Sequence, residues 1–298
     1  MLDDACTVHG EGRGDRAGNT QASGAVGWHA RLELCVEAPN DASLLAHCRH
    51  RGPLRVQRPF YPEGPEVCHL CLLHPPGGLV PGDELDIELT VGRRARALVT
   101  TPAAAKVYRS DGRRAVQRQR LLVASGASLE WLPQETIFFN GAIADLRTTV
   151  LLDEGAAFVG WEVLCLGRHA SGERFTVGRC RNQLEIHRAG VPLYVDRAAW
   201  EGGSDALSAS YGLGGHVAWG TMLAVGRENE SLEELLDLAR RSAPPEVGTT
   251  LLGQGTVLCC RYLGPSAGRG RELFSQLWAV IRPRLLGRSA AVPRIWST

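Results

Sequence analysis

Glu84-Leu-Asp-Ile-Glu-Leu-Thr-Val91 alternates without a fault: Leu85, Ile87, Leu89 and Val91 fall on one side, Glu84, Asp86, Glu88 and Thr90 on the other. Side chains point to opposite faces with a period of two in an extended chain, so this octapeptide reads as a half-buried antiparallel strand, one face to a core and one to water. Shorter runs of the same kind lie on both sides of it: 28–36, 67–73, 94–100, 128–132, 148–152, 157–166, 182–187, 193–196, 217–225 and 256–262. Gly, Pro and Asp separate them, and no βαβ rhythm intervenes. The expected fold is mainly β, with stacked or sandwiched antiparallel sheets.

Two helices are expected near the C-terminus. Ser231-Leu-Glu-Glu234 has a capping-box pattern ahead of an apolar stripe of Leu232, Leu235, Leu236 and Ala239, ending before Pro244. A second stripe, Leu273, Phe274, Leu277, Trp278 and Ile281, covers about 271–281 and should stop at Pro283. Residues 1–27 carry almost no periodic apolar signal and read as a flexible tail. No internal repeat or linker is evident after them, so 28–298 reads as one domain.

Composition narrows the function. The 298 residues are 44% apolar and 22% charged, with 33 basic against 32 acidic side chains and a net charge of +1. That balance supplies no strong cationic field, so neither nucleic acid nor an anionic membrane is an expected partner. No apolar run approaches the ~18 residues that span a bilayer, and the first residues lack the pattern of a secretory signal, so a cytoplasmic location is expected. Nine scattered cysteines suit reduced thiols used as small hydrophobes.

Several chemistries fail on residue types. A P-loop needs a Gly-Lys-Ser/Thr, but the single lysine, Lys106, sits between Ala105 and Val107. Gly264-Pro-Ser-Ala-Gly268 matches a nucleophile elbow, yet neither aspartate nor histidine follows Ser266, so a strand-to-helix turn is the better reading. Cys68-His-Leu-Cys71 with His74 has metal-ligand residue types, but on a strand Cys68 points away from His69 and Cys71, which favours a buried strand with partnered polar groups. Arg113, Arg114, Arg118 and Arg120 form a basic run that reads as a solvated face or the rim of a protein contact.

From Pro53 onward the blocks become distinctive: Pro53-Leu-Arg-Val-Gln-Arg-Pro-Phe-Tyr-Pro-Glu63, Leu72-Leu-His-Pro-Pro-Gly-Gly-Leu79, Thr100-Thr-Pro-Ala-Ala-Ala-Lys-Val-Tyr-Arg-Ser110, Leu129-Glu-Trp-Leu-Pro-Gln-Glu-Thr-Ile-Phe-Phe139, Leu166-Gly-Arg and Pro293-Arg-Ile-Trp296. In this order they strongly resemble the urease accessory family UreD, also called UreH, from about residue 28 to the end. Cys71 stands where that family commonly has an aromatic residue, and the long N-terminal tail is not a family feature. The resemblance implies a non-enzymatic maturation factor, mostly β, that joins UreF and the GTPase UreG on apo-urease and helps deliver Ni²⁺. It implies no tightly bound cofactor, only transient nickel, and leaves room for homodimerisation within the accessory complex.

A protein that must release nickel cannot hold it in a full set of thiolates and imidazoles, because nickel stands high in the affinity order. Sparse carboxylates and waters are the expected ligands. Glu162, a lone acid in the apolar run 157–166, and Asp196, at the end of Val191–Asp196, are the first candidates, followed by Asp83 and Glu84 beyond the His-Pro-Pro-Gly-Gly turn. Lys106, the only lysine beside 32 arginines, suggests a compact ammonium set against one of these acids. With Tyr108, Arg109, Trp131, Phe138 and Phe139 it makes up the candidate binding residues, although core packing is the simpler use of Trp131, Phe138 and Phe139. The alternatives are a scaffold that holds apo-urease without a nickel path of its own, and a small-molecule hydrolase using Ser266 or a cysteine.

Overall fold

A computed structural model describes residues 27–227 and 231–297. The proposed tail at 1–27 therefore falls, apart from Gly27, outside the described residues. Among the described residues seventeen strands form: β1 His29–Glu37, β2 Leu44–Arg51, β3 Arg55–Val56, β4 Cys68–Leu73, β5 Glu84–Val91, β6 Arg96–Thr100, β7 Ala105–Val107, β8 Ala115–Val123 and β9 Ser128–Leu132. They continue with β10 Thr136–Phe138, β11 Ile143–Leu152, β12 Ala157–Leu166, β13 Arg179–Arg188, β14 Val191–Glu201, β15 Ala218–Val225, β16 Val247–Leu252 and β17 Val257–Gly264. Two helices, α1 Glu233–Ser242 and α2 Ala267–Leu286, lie near the C-terminus.

The mainly β reading with two late helices holds, and the strands form two sheets. One runs β14-β13-β11-β8-β5-β1-β2; the other runs β16-β17-β15-β12-β9-β6-β4-β3, with β10 and β7 attached through β12. Between the sheets lies an apolar core that includes Leu32, Leu89, Val99, Leu129, Val150 and Leu223. A second cluster, with Trp161, Leu235, Phe274 and Trp278, fills the space between the other face of the second sheet and the two helices.

The expected antiparallel pairing is corrected. In the first sheet β1–β5, β5–β8, β8–β11 and β11–β13 are all parallel, as are β4–β6, β6–β9 and β9–β12 in the second. Antiparallel pairs close the first sheet at both ends, β1–β2 and β13–β14, and in the second sheet they join β3–β4 and the block β12-β15-β17-β16. The cause is the route of the chain. It passes from one sheet to the other and back, β5 to β6, β8 to β9, β11 to β12, so each return lays a strand beside its predecessor in the same direction. Parallel strands need a long crossover, and here the opposite sheet supplies it in place of a helix.

That route also exposes a repeat that is not evident from the sequence read linearly. Gly92-Arg-Arg-Ala95, Ala124-Ser-Gly-Ala127 and Asp153-Glu-Gly-Ala156 are three stacked turns. Each closes on an alanine N–H bonded to the carbonyl of its first residue. Each has a left-handed third residue: Arg94 at φ 60°, Gly126 at 71° and Gly155 at 72°. The first residues of the upper two bond back to the strand end below, Ala124 to Val91 and Asp153 to Val123. All three alanines are fully buried.

Candidate functional site

The alternation of β5 fixes which residues of its neighbours face inward. In register, Ile87 stands beside Gln119, Gln119 beside Thr148, and Thr148 beside Leu184. The inner rows of β8, β11 and β13 are therefore apolar except at Gln117, Gln119, Thr148, Asn182 and, at the end of β13, Arg188, which bonds to the Ala156 and Gly226 carbonyls. Opposite them β12 turns Glu162 inward. Thr148 Oγ1 lies 2.5 Å from Glu162 Oε1, and Asn182 Nδ2 donates to Oε2 at 2.8 Å. Thr148 Oγ1 is also 2.9 Å from Gln119 Oε1. One hydroxyl proton cannot serve both acceptors; the row is satisfied when Glu162 carries a proton or when the Gln119 amide turns its NH₂ to Thr148.

These groups border a cavity of about 160 Å³ between the sheets. Glu162 is enclosed by protein yet keeps accessible surface, because that surface faces the cavity. Four other lining residues, His74, Trp131, Gln134 and Asn182, each present a buried polar atom with no protein partner: Nε2, Nε1, Nε2 and Oδ1 respectively. Buried polar groups left unpaired call for water or a polar guest, and the volume has room for several waters. The lining reaches exposed Gly77 and Ala103, so the space runs from the surface to Glu162. Four of the distinctive sequence blocks, 53–63 through Leu54, 72–79, 100–110 and 129–139, contribute to its wall.

Burial is the largest influence on the Glu162 carboxyl and raises it above its ordinary 4.5; the bonds from Thr148 and Asn182 oppose the rise and the charge of Asp196 adds to it. Burial likewise lowers His74 below its ordinary 6.5, against the pull of Asp83. A neutral imidazole is a potential metal ligand.

The other candidate acids are engaged elsewhere. Asp196 faces inward at the sheet margin but pairs with Arg261 at 3.0 Å and accepts from Tyr194 at 3.3 Å. Asp83 closes a turn, its two oxygens accepting from the backbone N–H groups of Trp28 and Val80, both at 2.9 Å. Glu84 lies on the outer face against Arg118 at 3.1 Å. Each of these two thus already has a structural partner, and neither lines the cavity.

Among the candidate binding residues, Trp131 and Phe138 are core, 3% and 0% exposed, so they are no docking surface; the inward parity of β9 and β10 decides this. Trp131 reaches the cavity wall instead. Phe139 is half-buried, stacked edge-on by Tyr108 at 5.1 Å and covered by the Arg168 guanidinium at 4.4 Å. Arg109 packs near them against Gly141, where a Cβ would meet its side chain at 2.9 Å. Lys106 is exposed on β7, with no ion pair among the described residues, so the expected acid partner is absent there.

The Cys68/His69/Cys71 strand is buried, as the favoured reading had it. His69 Nε2 lies 2.7 Å from Glu63, which shares Arg282 with Glu130. Among the described residues no three His, Cys, Asp or Glu side chains converge to hold a metal ion. Ser266 is the N-cap of α2, its Oγ accepting from the Arg269 N–H at 3.4 Å, which fits the strand-to-helix turn. Alternation could have flagged Gln117, Gln119, Thr148 and Asn182, which interrupt largely apolar inward rows.

The family model described as "UreD urease accessory protein" matches residues 29–297. A protein of Dechloromonas aromatica named "Urease accessory protein UreD" is 42% identical over 281 residues, covering 94% of this chain and 98% of its own. Namesakes from Nostoc sp. and Nitrosococcus oceani are 42% and 44% identical over 275 residues, covering 91% and 92% of this chain and 97% and 91% of theirs.

Proposed function

The chain belongs to the UreD family of urease accessory proteins, and from that premise we propose that it is a scaffold and metal-transfer chaperone which joins UreF and UreG to apo-urease in the cytoplasm and passes Ni²⁺ through its own interior. As a urease accessory protein it takes part in urease maturation and is not a catalytic enzyme. No helix among the described residues is long and apolar enough to cross a membrane.

The observation that carries the proposal is Glu162, an enclosed carboxyl with no cationic partner among the described residues, bordering a polar cavity that reaches the surface. A carboxylate buried for packing alone would need an ion pair to offset its desolvation. Here the offset is partial, from one hydroxyl and one amide, and the remaining coordination capacity faces open space. A hydrated Ni²⁺ arriving there exchanges with the carboxyl proton and gains one carboxylate and waters, with neutral His74 on the same wall. Such a ligand set is sparse enough to release the ion.

Glu162→Ala should leave assembly with UreF, UreG and apo-urease intact, measured by sizing of the co-expressed complex, while urease activation falls at least about tenfold, the effect of losing one metal-directed group. His74→Ala should give a smaller loss. Normal activation by soluble, assembled Glu162→Ala protein sinks the nickel path and leaves the pure scaffold, a reading supported by the engagement of Asp83, Glu84 and Asp196 in structural contacts.

A further inference from the structure

We propose that the outer face of the first sheet, over β8, β11, β13 and β14, is a docking site for an acidic protein segment. Register places Arg118 beside Arg147, Arg147 beside Gln183, and Gln183 beside Arg197, in one row across four strands. Arg181 lies one row away, and Arg114 closes the end. Together the five arginines surround an open groove of about 440 Å³ that includes a single acid, Asp145.

Like charges directly opposite on neighbouring strands destabilise a sheet, and the Arg118–Arg147 pair is such a case. Its charges are only partly neutralised from within. Arg114 pairs with Asp145, Arg118 with Glu84 and Asp86, and Arg197 with Glu185. Arg147 and Arg181, both exposed, have no ion pair among the described residues. Neighbouring strands are about 4.8 Å apart, so the row spans the width of a short peptide. A guanidinium fork fits carboxylates in pairs.

The surroundings select the class of partner. Beside the arginine rows, β5 and β1 present Glu84, Asp86, Glu88 and Glu33 on the same face. A long polyphosphate backbone would be repelled there, whereas a protein with an acidic segment beside a basic one would meet both stripes. Val195, 48% exposed on β14, adds apolar contact at the rim. This surface lies on the opposite side of the first sheet from the cavity, and the inference does not rest on the nickel path.

The test titrates the full chain with a fluorescein-labelled oligoglutamate peptide, and separately with oligothymidylate and orthophosphate, while sedimentation follows self-association. The peptide should bind, more weakly as ionic strength rises from about 0.05 to 0.3 M, because exposed charges are screened. Arg147→Glu with Arg181→Glu should weaken it by more than about tenfold. The double Gln variant, gentler to the fold, should give an intermediate loss. Arg49→Glu with Arg51→Glu, on the far edge strand of the same sheet, and Glu162→Gln should bind as the parent does. Equal binding by both double variants at 147 and 181, tighter binding of oligothymidylate or orthophosphate than of peptide, or a salt-sensitive dimer that these substitutions abolish would each overturn the assignment.

Discussion

At Glu162 the raised carboxyl is also a statement about stability. Its folded value lies above the unfolded 4.5, so the folded state binds the proton more tightly, and stability is lost as pH rises from 4.5 through the folded value. Glu162→Gln should therefore raise the melting temperature increasingly above pH 4.5 and change it little below; a gain that is the same at all pH values would count against an ionising, enclosed carboxyl. Glu63 runs the other way. Burial would raise it, but hydrogen bonds from His69 and Arg282 bring it down to about 2, so its contribution is present above 4.5 and fades only as pH falls toward 2. The distinction was half legible in the sequence. A lone acid in Ala157–Leu166 announces a cost, whereas Asp83 and Asp196 look equally exceptional until their backbone and arginine partners are seen.

Among the elements, α2 shows how local signals compete. The sequence ends it at Pro283, because proline removes an N–H and crowds the preceding turn. The helix instead continues to Leu286 and closes on Gly287, left-handed at φ 71°, whose N–H bonds to the Pro283 carbonyl. Ile281, Arg282 and Leu285 are buried by the second sheet and its loops, and this packing outweighs the lost bond. At the other end Ser266→Ala should cost about 1 kcal/mol in urea unfolding, the usual loss of a cap, and leave urease activation unchanged at temperatures where the protein is folded. Strand β8 was obscured for a related reason. Its outer arginines read as a charged run, and only the inward Ala115, Leu121 and Val123 mark it as half of a buried layer.

For the whole molecule, the long-range ties are polar as well as apolar. Arg282 reaches Glu63 and Glu130, 219 and 152 residues away, through four bonds of 2.7 to 2.8 Å. Trp296 donates to Thr100 at 2.8 Å and packs against Trp161 and Trp278. Removing one partner of a buried charged pair typically costs 3–5 kcal/mol, so Arg282→Ala should destabilise the fold by about that much in denaturant titration. A loss below about 1 kcal/mol would mean the two glutamates find water instead. The sequence by itself determined most of the strands and their inward parity, the late helices and the family, because alternation, apolar stripes and contiguous blocks are local properties of the chain; β2, β8 and β16, whose alternation is weak or masked by charge, emerged only in the structure. The tertiary structure alone decided that the central strands run parallel, that Thr148 and Asn182 meet Glu162, and that Arg118 stands beside Arg147. Those meetings depend on the register between strands tens of residues apart, which is set by stacking one turn of the chain on the previous one and is written in no single segment.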